Sequence, residues 1–344
     1  MIINSLIFNV AILFIMTVPG IVLKKCRLAD GAFGKGISNL VLYVAQPALI
    51  LYTYVSCESD FASVWKNALA TLIISIPVHI IFALAAMLCF KKVPDGIRRM
   101  LRFATTFSNA AFMGVPLVQI ILGSEAAIYA SIYNITFNFF LWTLGVYFCT
   151  HKEGEDVDGD GDYDLMDMGA SAVVTAKKAG SLKKVLLHPV TLASVIGVIL
   201  LALGVDTAAL EAAHLGIISS SLDMLRGLVA PLSMVVIGLR LPDVDFRGIH
   251  KDVNMFVFLA LRHLVLPFAV IGLLYLLKLT GLTIGSTVII VTVIMAAAPA
   301  ASSATMFAEK YDCDAAYVSR LVTVSTLLSI ATMPLAVTVA QLFA

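Results

Sequence analysis

Charge is what this chain has least of. Only 13% of its 344 residues are charged and 60% are hydrophobic, against about 25% and about 45–50% in soluble domains, and the mean hydropathy is +0.98. That balance excludes a water-soluble globule, and no nucleic-acid partner is expected. The five cysteines, Cys26, Cys57, Cys89, Cys149 and Cys313, form no C-x-x-C pair and scatter among apolar runs, which sets disulfide and metal roles aside in favour of packing. H-E-x-x-H and G-x-S-x-G are missing too, and no single apolar run holds a pair of carboxylates, so no enzyme chemistry, cofactor or metal is expected. The P-loop pattern is absent: Gly31-Ala32-Phe33-Gly34-Lys35-Gly36 lacks both its spacing and its hydroxyl. No nucleotide drives this chain directly. No basic residue precedes the first apolar run either; it opens Met1-Ile2-Ile3-Asn4, and Lys24, Lys25 and Arg27 follow it. That order predicts a first membrane span with its N-terminus outside rather than a cleavable signal peptide.

What the chain has instead is long apolar runs. A hydrocarbon core of about 30 Å takes around 20 apolar residues per helix, and ten segments qualify: 5–23, 37–56, 67–90, 101–122, 126–149, 186–204, 216–239, 254–277, 284–307 and 316–342. A polar linker, 150–185, divides them five and five, giving a first repeat over 1–149 and a second over 186–344. The loops test this count, because cytoplasmic loops of membrane proteins are enriched in Lys and Arg. Nineteen of the 23 Lys and Arg residues fall in loops of one side, only Lys66 and Lys278 on the other, and Arg226 and Arg262 lie inside spans. The expectation is an all-α multi-pass protein of the cell membrane with both termini outside and a cytoplasmic linker.

Prolines interrupt two spans in each half at nearly equal intervals: Pro47 and Pro116 are 69 residues apart, Pro231 and Pro299 are 68 apart. The neighbourhoods also rhyme, Val44-Ala45-Gln46-Pro47-Ala48 against Leu228-Val229-Ala230-Pro231-Leu232. An odd number of spans per half forces the second half into the bilayer upside down, which makes this an inverted-topology repeat. Interrupted helices at corresponding positions of such repeats are the sequence pointer to a secondary transporter's binding site. A proline within a span strands a carbonyl, which is tolerated where protein or a wet cavity satisfies it.

The fourth span reads Thr105-Thr106-Phe107-Ser108-Asn109-Ala110-Ala111-Phe112-Met113-Gly114-Val115-Pro116, and the ninth Ala298-Pro299-Ala300-Ala301-Ser302-Ser303-Ala304-Thr305. If both unwind, two half-helix N-termini meet at the midplane, where their free N–H groups suit an anion or carboxylate. Asn109, Gly114, Pro116, Pro299, Ser302, Ser303 and Thr305 are the candidate substrate-binding residues. Close packing of small residues is the competing explanation.

Ser108-Asn109 with Gly114-Val115-Pro116-Leu117 resembles the fourth-span motif of the auxin efflux carrier family. Pro299 with Ala308-Glu309-Lys310-Tyr311 resembles its ninth, Leu40 to Leu49 its second, Leu187-His188-Pro189 with Ile196-Gly197 the start of its sixth, and Ala230-Pro231-Leu232 with Ile237-Gly238-Leu239 its seventh. The resemblance implies the ten-helix fold of the bile-acid:sodium symporters. Spans four and nine would cross at their prolines in a transport domain of spans 3–5 and 8–10, beside a scaffold of spans 1, 2, 6 and 7. It also implies a small organic anion as substrate, auxin-like or a mono- or dicarboxylate, with a homodimer through the scaffold conceivable. Two positions depart from the pattern: Ser303, where asparagine is usual, and His188, where asparagine commonly precedes the proline.

Other polar residues inside spans are functional candidates by default. Arg226 and Asp223 share a helix face and either pair structurally or meet the substrate. His79 is either a proton carrier or a hydrogen-bonded helix histidine. Asn134 and Asn138, four apart, and Gln119 either line a cavity or bond neighbouring helices. Arg262 is explained by snorkelling, and His263 beside it titrates near neutrality if exposed. The linker segment Asp156-Val157-Asp158-Gly159-Asp160-Gly161-Asp162-Tyr163-Asp164-Leu165-Met166-Asp167 has the ligand spacing of an EF-hand loop, with aspartate where the twelfth-position glutamate is standard. A self-repelling acidic linker explains it equally. The chain thus reads as a secondary carrier working by alternating access in the elevator manner, one domain sliding along the other; an ion-coupled symporter of another amphipathic solute, using sodium or protons, and a ligand-gated channel or sensor are the alternatives.

Overall fold

The computed structural model describes residues 2–59, 61–150, 186–244, 246–247 and 249–344. The acidic segment Asp156–Asp167 and most of the linker lie outside the described residues. Among those described, the only regular structure is helical, apart from one isolated antiparallel bridge. Seven helices are long and apolar enough to cross a bilayer: α1 (Ile7–Lys25), α2 (Gly31–Val55), α3 (Phe61–Cys89), α5 (Ala110–Thr150), α7 (Gly216–Asp243), α8 (Val253–Leu279) and α11 (Ala315–Gln341). Between them run α4 (Asp95–Thr106), α6 (Pro189–Ala202), α9 (Ser286–Ala297) and α10 (Ser303–Lys310). At 41 residues, α5 is about twice as long as one crossing requires. It turns at Gly123, whose φ of 83° is a left-handed conformation that a residue with a Cβ adopts only under strain.

Large apolar side chains stand exposed on the outer helices, Phe8, Leu88, Leu203, Met224 and Leu276 among them. A protein bathed in water does not leave such a surface bare, whereas lipid covers it. The chain is a multi-pass membrane protein. The interior lies elsewhere: every residue of α9 from Val288 to Ala297 is buried.

Three prolines show how the sequence bends its own helices. Pro47, Pro116 and Pro267 each follow a single π-turn, Val41–Ala45, Ala110–Gly114 and Leu261–Val265, and each is the second residue of the resumed α-helix. Proline lacks the N–H for an i→i−4 bond and its ring presses on the carbonyl four residues back. The wider turn accommodates that carbonyl and leaves its lone pairs to other donors. A fourth π-turn, Leu141–Gly145, has no proline; Gly145 lies against the Phe103 and Phe107 rings.

Helices α1 and α7 cross at glycines. A Cβ on Gly20 would collide with the Val235 carbonyl, and one on Gly238 with that of Thr17. Because the obstruction is backbone, no side chain can move aside. Gly238→Leu should therefore lower the melting temperature of detergent-purified protein by several degrees, following an overpacking cost of about 1–3 kcal/mol or more. Gly272→Leu, at a glycine with nothing within 4 Å of its would-be Cβ, should melt as the wild type does.

Candidate functional site

The two interrupted segments meet. Helix α4 ends at Thr106, Phe107 is extended, Ser108 and Asn109 are non-helical, and the chain recoils at Ala110. Helix α9 ends at Ala297, and α10 begins at Ser303. Ala298, held at ψ 147° as proline demands of the residue before it, carries the chain out of the helix. Between the two breaks Ser108 and Ala300 form the antiparallel bridge: the Asn109 N–H donates to the Pro299 carbonyl at 2.7 Å, and the Ala301 N–H to the Phe107 carbonyl at 2.9 Å. Each unwound strand thus supplies donors and acceptors that the other lacks.

Three further carbonyls at the two helix C-termini are held by one side chain. Arg262, on the π-turn of α8, donates from Nη1 to Thr105 O (3.1 Å) and from Nη2 to Ala296 O (2.9 Å) and Ala298 O (2.6 Å). Its guanidinium also lies over the Phe82 ring, 5.2 Å from the centroid. Snorkelling is thereby excluded, because Arg262 is fully buried and its charge points at the crossover. A cation at the negative ends of α4 and α9 is favourable, and it leaves the positive ends, at Ala110 and Ser303, for another occupant.

A second chain of bonds braces the crossover from behind. Thr332 Oγ1 donates to Leu328 O and so accepts from His263 Nδ1 (2.9 Å); His263 Nε2 then accepts from Ser325 Oγ (2.9 Å), which accepts from the Ala300 N–H (2.9 Å). That sequence assigns His263 the neutral Nδ1–H tautomer. His263 is buried and bonded on both nitrogens rather than exposed.

In front of the crossover opens a cavity of about 1010 Å³. Asn109, Ser303, Thr305, Asn134 and Asn138 line it, with Gln46 of α2, Arg240 of α7, and Phe112, Phe137, Trp142 and Phe307 as its apolar surface. Ser302 Oγ donates to Asn109 Oδ1 at 3.3 Å, while the Asn109 Nδ2 has no partner among the described residues. The same holds for Nδ2 and Oδ1 of Asn134, Nδ2 of Asn138 and Oε1 of Gln46, although all four residues are at most 5% exposed. A buried amide left unbonded costs about 1–3 kcal/mol, so four around one cavity mark where a polar ligand or ordered water belongs.

Gly114 and Pro116 are buried beneath this site; a Cβ on Gly114 would press on the Met295 sulfur. Three other candidates lie apart from it. Arg226 pairs with Asp223 (Nη2 to Oδ1, 2.5 Å) and covers the Tyr52 ring at 4.2 Å. His79 bonds the Ser75 carbonyl through Nδ1 at 2.7 Å and stacks on Phe140. Gln119 accepts from Thr53 Oγ1 (3.1 Å) and donates to Ser124 Oγ (3.3 Å).

Two residues of the site escape sequence reading. Arg240 counts there as a loop cation, yet its Nη1 donates to the Ser302 carbonyl at 2.9 Å and to Thr305 Oγ1. Gln46 figures only as part of a motif, yet its Nε2 donates to the Ala111 carbonyl in the π-turn at 2.5 Å. The signal available for Arg262 was arithmetic: two stranded helix ends in apolar surroundings require donors, and it is one of only two cations inside spans.

A family model described as membrane transport protein matches residues 5–337. The chain is also 25% identical, over 323 residues covering 93% of it and 94% of the relative, to an uncharacterized transporter of Methanothermobacter thermautotrophicus.

Removing the Arg262 guanidinium strands three carbonyls in the interior. Arg262→Met should melt far below wild type, or fail to fold, while Arg226→Met, which breaks a partly exposed pair worth about 0–1 kcal/mol, should melt within a degree or two of it. Equal melting of the two variants would refute the capping role.

Proposed function

Since the chain belongs to the membrane transport protein family, that of the auxin efflux carriers, we propose that it is a secondary carrier of a small organic anion and works by alternating access. The observation that carries this reading is the one-sided cavity, which ends on two broken helices with their positive ends and unbonded amides turned toward it. Such ends favour an anion through the partial positive charge of their free N–H groups. Asn109, Ser302, Ser303 and Thr305 would supply directed bonds, and Pro116 and Pro299 the breaks.

In this reading α5 counts as two crossings at Gly123, and α4 and α9 each continue past their breaks into the next helix. That makes ten crossings in an inverted five-plus-five repeat. Lys24, Lys35 and Lys310 line the cavity, which supports a cytoplasmic mouth by the positive-inside rule; in this reading the termini lie outside and the linker inside. Helix α2 supports alternating access from both its ends. Near Gly31 it borders the open cavity. About 33 Å away along the helix, Thr53 bonds Gln119, and just beyond, Ser56 bonds Ser124 at 2.8 Å, shutting the opposite side. An inward-open carrier has this arrangement. Helices α1, α2, α6 and α7 would be the scaffold, against which the crossover helices move; the Gln46–Ala111 and Arg240–Ser302 bonds cross that boundary and break when they do. A coupling ion is compatible with the same geometry.

Asn109→Ala should abolish uptake and counterflow of the substrate in proteoliposomes while shifting the melting temperature by no more than a few degrees, because the lost side chain makes one long hydrogen bond. Full activity of that variant refutes the crossover site, and single-channel currents from wild type refute the carrier.

A further inference from the structure

The crossover holds dipole ends and amides but no cation that faces the cavity, since Arg262 is committed to carbonyls behind it. An anion entering a largely apolar cavity loses hydration that amides repay only in part, and a guanidinium repays far more. We propose that Arg240 is that guanidinium: it binds the carboxylate of the substrate, while the amides of Gln46, Asn134 and Asn138 bind a second polar group, a hydroxyl or carbonyl, on the same molecule. The inference rests on the organic-anion reading above and narrows it to carboxylates with a polar substituent.

Four observations carry it. Arg240 is the last residue of the α-helical part of α7 and lines the same cavity as Asn134 and Asn138. No described carboxylate lies within ion-pair distance of it: Asp243 is taken by Lys24 at 2.7 Å, and Glu309, which lines the same cavity, acts on Arg240 only from farther away. Both its hydrogen bonds run from Nη1, to neutral acceptors on α10, which keeps the Nη2 and Nε fork for a bidentate partner. Finally, Asn134 and Asn138 are one helical turn apart on one face, deeply buried, and offer unbonded donors and an acceptor together, as does Gln46 an acceptor. A plain carboxylate uses donors only. An acceptor such as Gln46 Oε1 or Asn134 Oδ1 requires a donor on the ligand, and a hydroxyl provides one.

The test uses the full-length protein in detergent and six probes: malonate, lactate and indole-3-acetate, each with its carboxamide (malonamide, lactamide, indole-3-acetamide). Binding is read by thermal shift and by Trp142 fluorescence in a Trp65→Phe background, Trp142 being the only other tryptophan and a cavity residue. Wild type should bind at least one acid more tightly than its amide. Arg240→Gln should lose about tenfold or more in affinity for that acid and keep its affinity for the amide, erasing the preference. Arg240→Lys, which keeps the charge without the fork, should retain the preference with weaker binding, and carries the test if Arg240→Gln does not fold. Asn134→Ala should weaken lactate more than an acid without a hydroxyl. An Arg240→Gln protein that binds the acid within twofold of wild type overturns the inference and leaves the carrier reading standing, as does an Arg240→Lys protein without any acid preference. Wild type that ignores all three acids overturns the organic-anion reading itself, and this inference with it.

Discussion

A helix that breaks inside a membrane must dispose of its stranded carbonyls, and here one buried guanidinium disposes of those on two helices at once. Arg262 bonds Thr105 at the end of α4 and both Ala296 and Ala298 at the end of α9. Two polarised chain ends in a low-dielectric interior repel each other unless a cation lies between them. With it there, the two unwound strands can approach closely enough to share the Asn109–Pro299 and Ala301–Phe107 bonds. The His263–Ser325 chain then fixes Ala300 from the rear. Every feature of the cavity in front depends on this clamp, since it decides where Asn109, Ser302 and Ser303 stand.

The clamp also divides polar labour between two faces. Behind the crossover Arg262 bonds carbonyls and His263 bonds Ser325 and Thr332, although Arg262 Nε and the hydroxyls of Thr105, Thr106 and Thr292 have no partner among the described residues. In front, Gln46, Asn109, Asn134 and Asn138 keep unbonded atoms in a cavity with aromatic walls. Folding alone does not favour such a cluster, because each orphan atom opposes it. The rear is built for rigidity and the front for a ligand.

Among the described residues, the side-chain bonds that join α2 and α7 to the crossover helices are few, the Tyr54–Ser131 hydroxyl pair at 3.1 Å among them. Gln46 reaches one carbonyl on the π-turn, Arg240 holds one carbonyl and one hydroxyl on α10, and Thr53 and Ser56 touch Gln119 and Ser124 at the far end. In contrast, α1 and α7 interlock through Gly20 and Gly238, where backbone meets backbone. On the proposed carrier reading, moving the crossover helices against α1, α2, α6 and α7 would break a handful of side-chain bonds, whereas separating α1 from α7 would break a close-packed seam.

Much of this was legible in the sequence. Composition alone dictated a membrane protein, because water cannot cover 60% hydrophobic residues. Pro299 marked one break, because Ala298 before it is forced out of the helix; Pro116 marked only the π-turn that follows the other, and Pro77 and Pro334 sit within unbroken helices. Asn109, Ser302 and Ser303 were picked out by lying at those breaks. The roles of Arg226, Arg240 and Arg262 were not legible, because all three are equally charged residues in or beside a span. Which of them pairs with Asp223, which reaches the cavity and which is sealed behind it depends on what stands opposite across tens to hundreds of residues, from Thr105 to Arg262 for instance. Local chemistry, which the sequence carries, sets where the chain bends; partners across space, which only the folded chain brings together, decide what each charge is for.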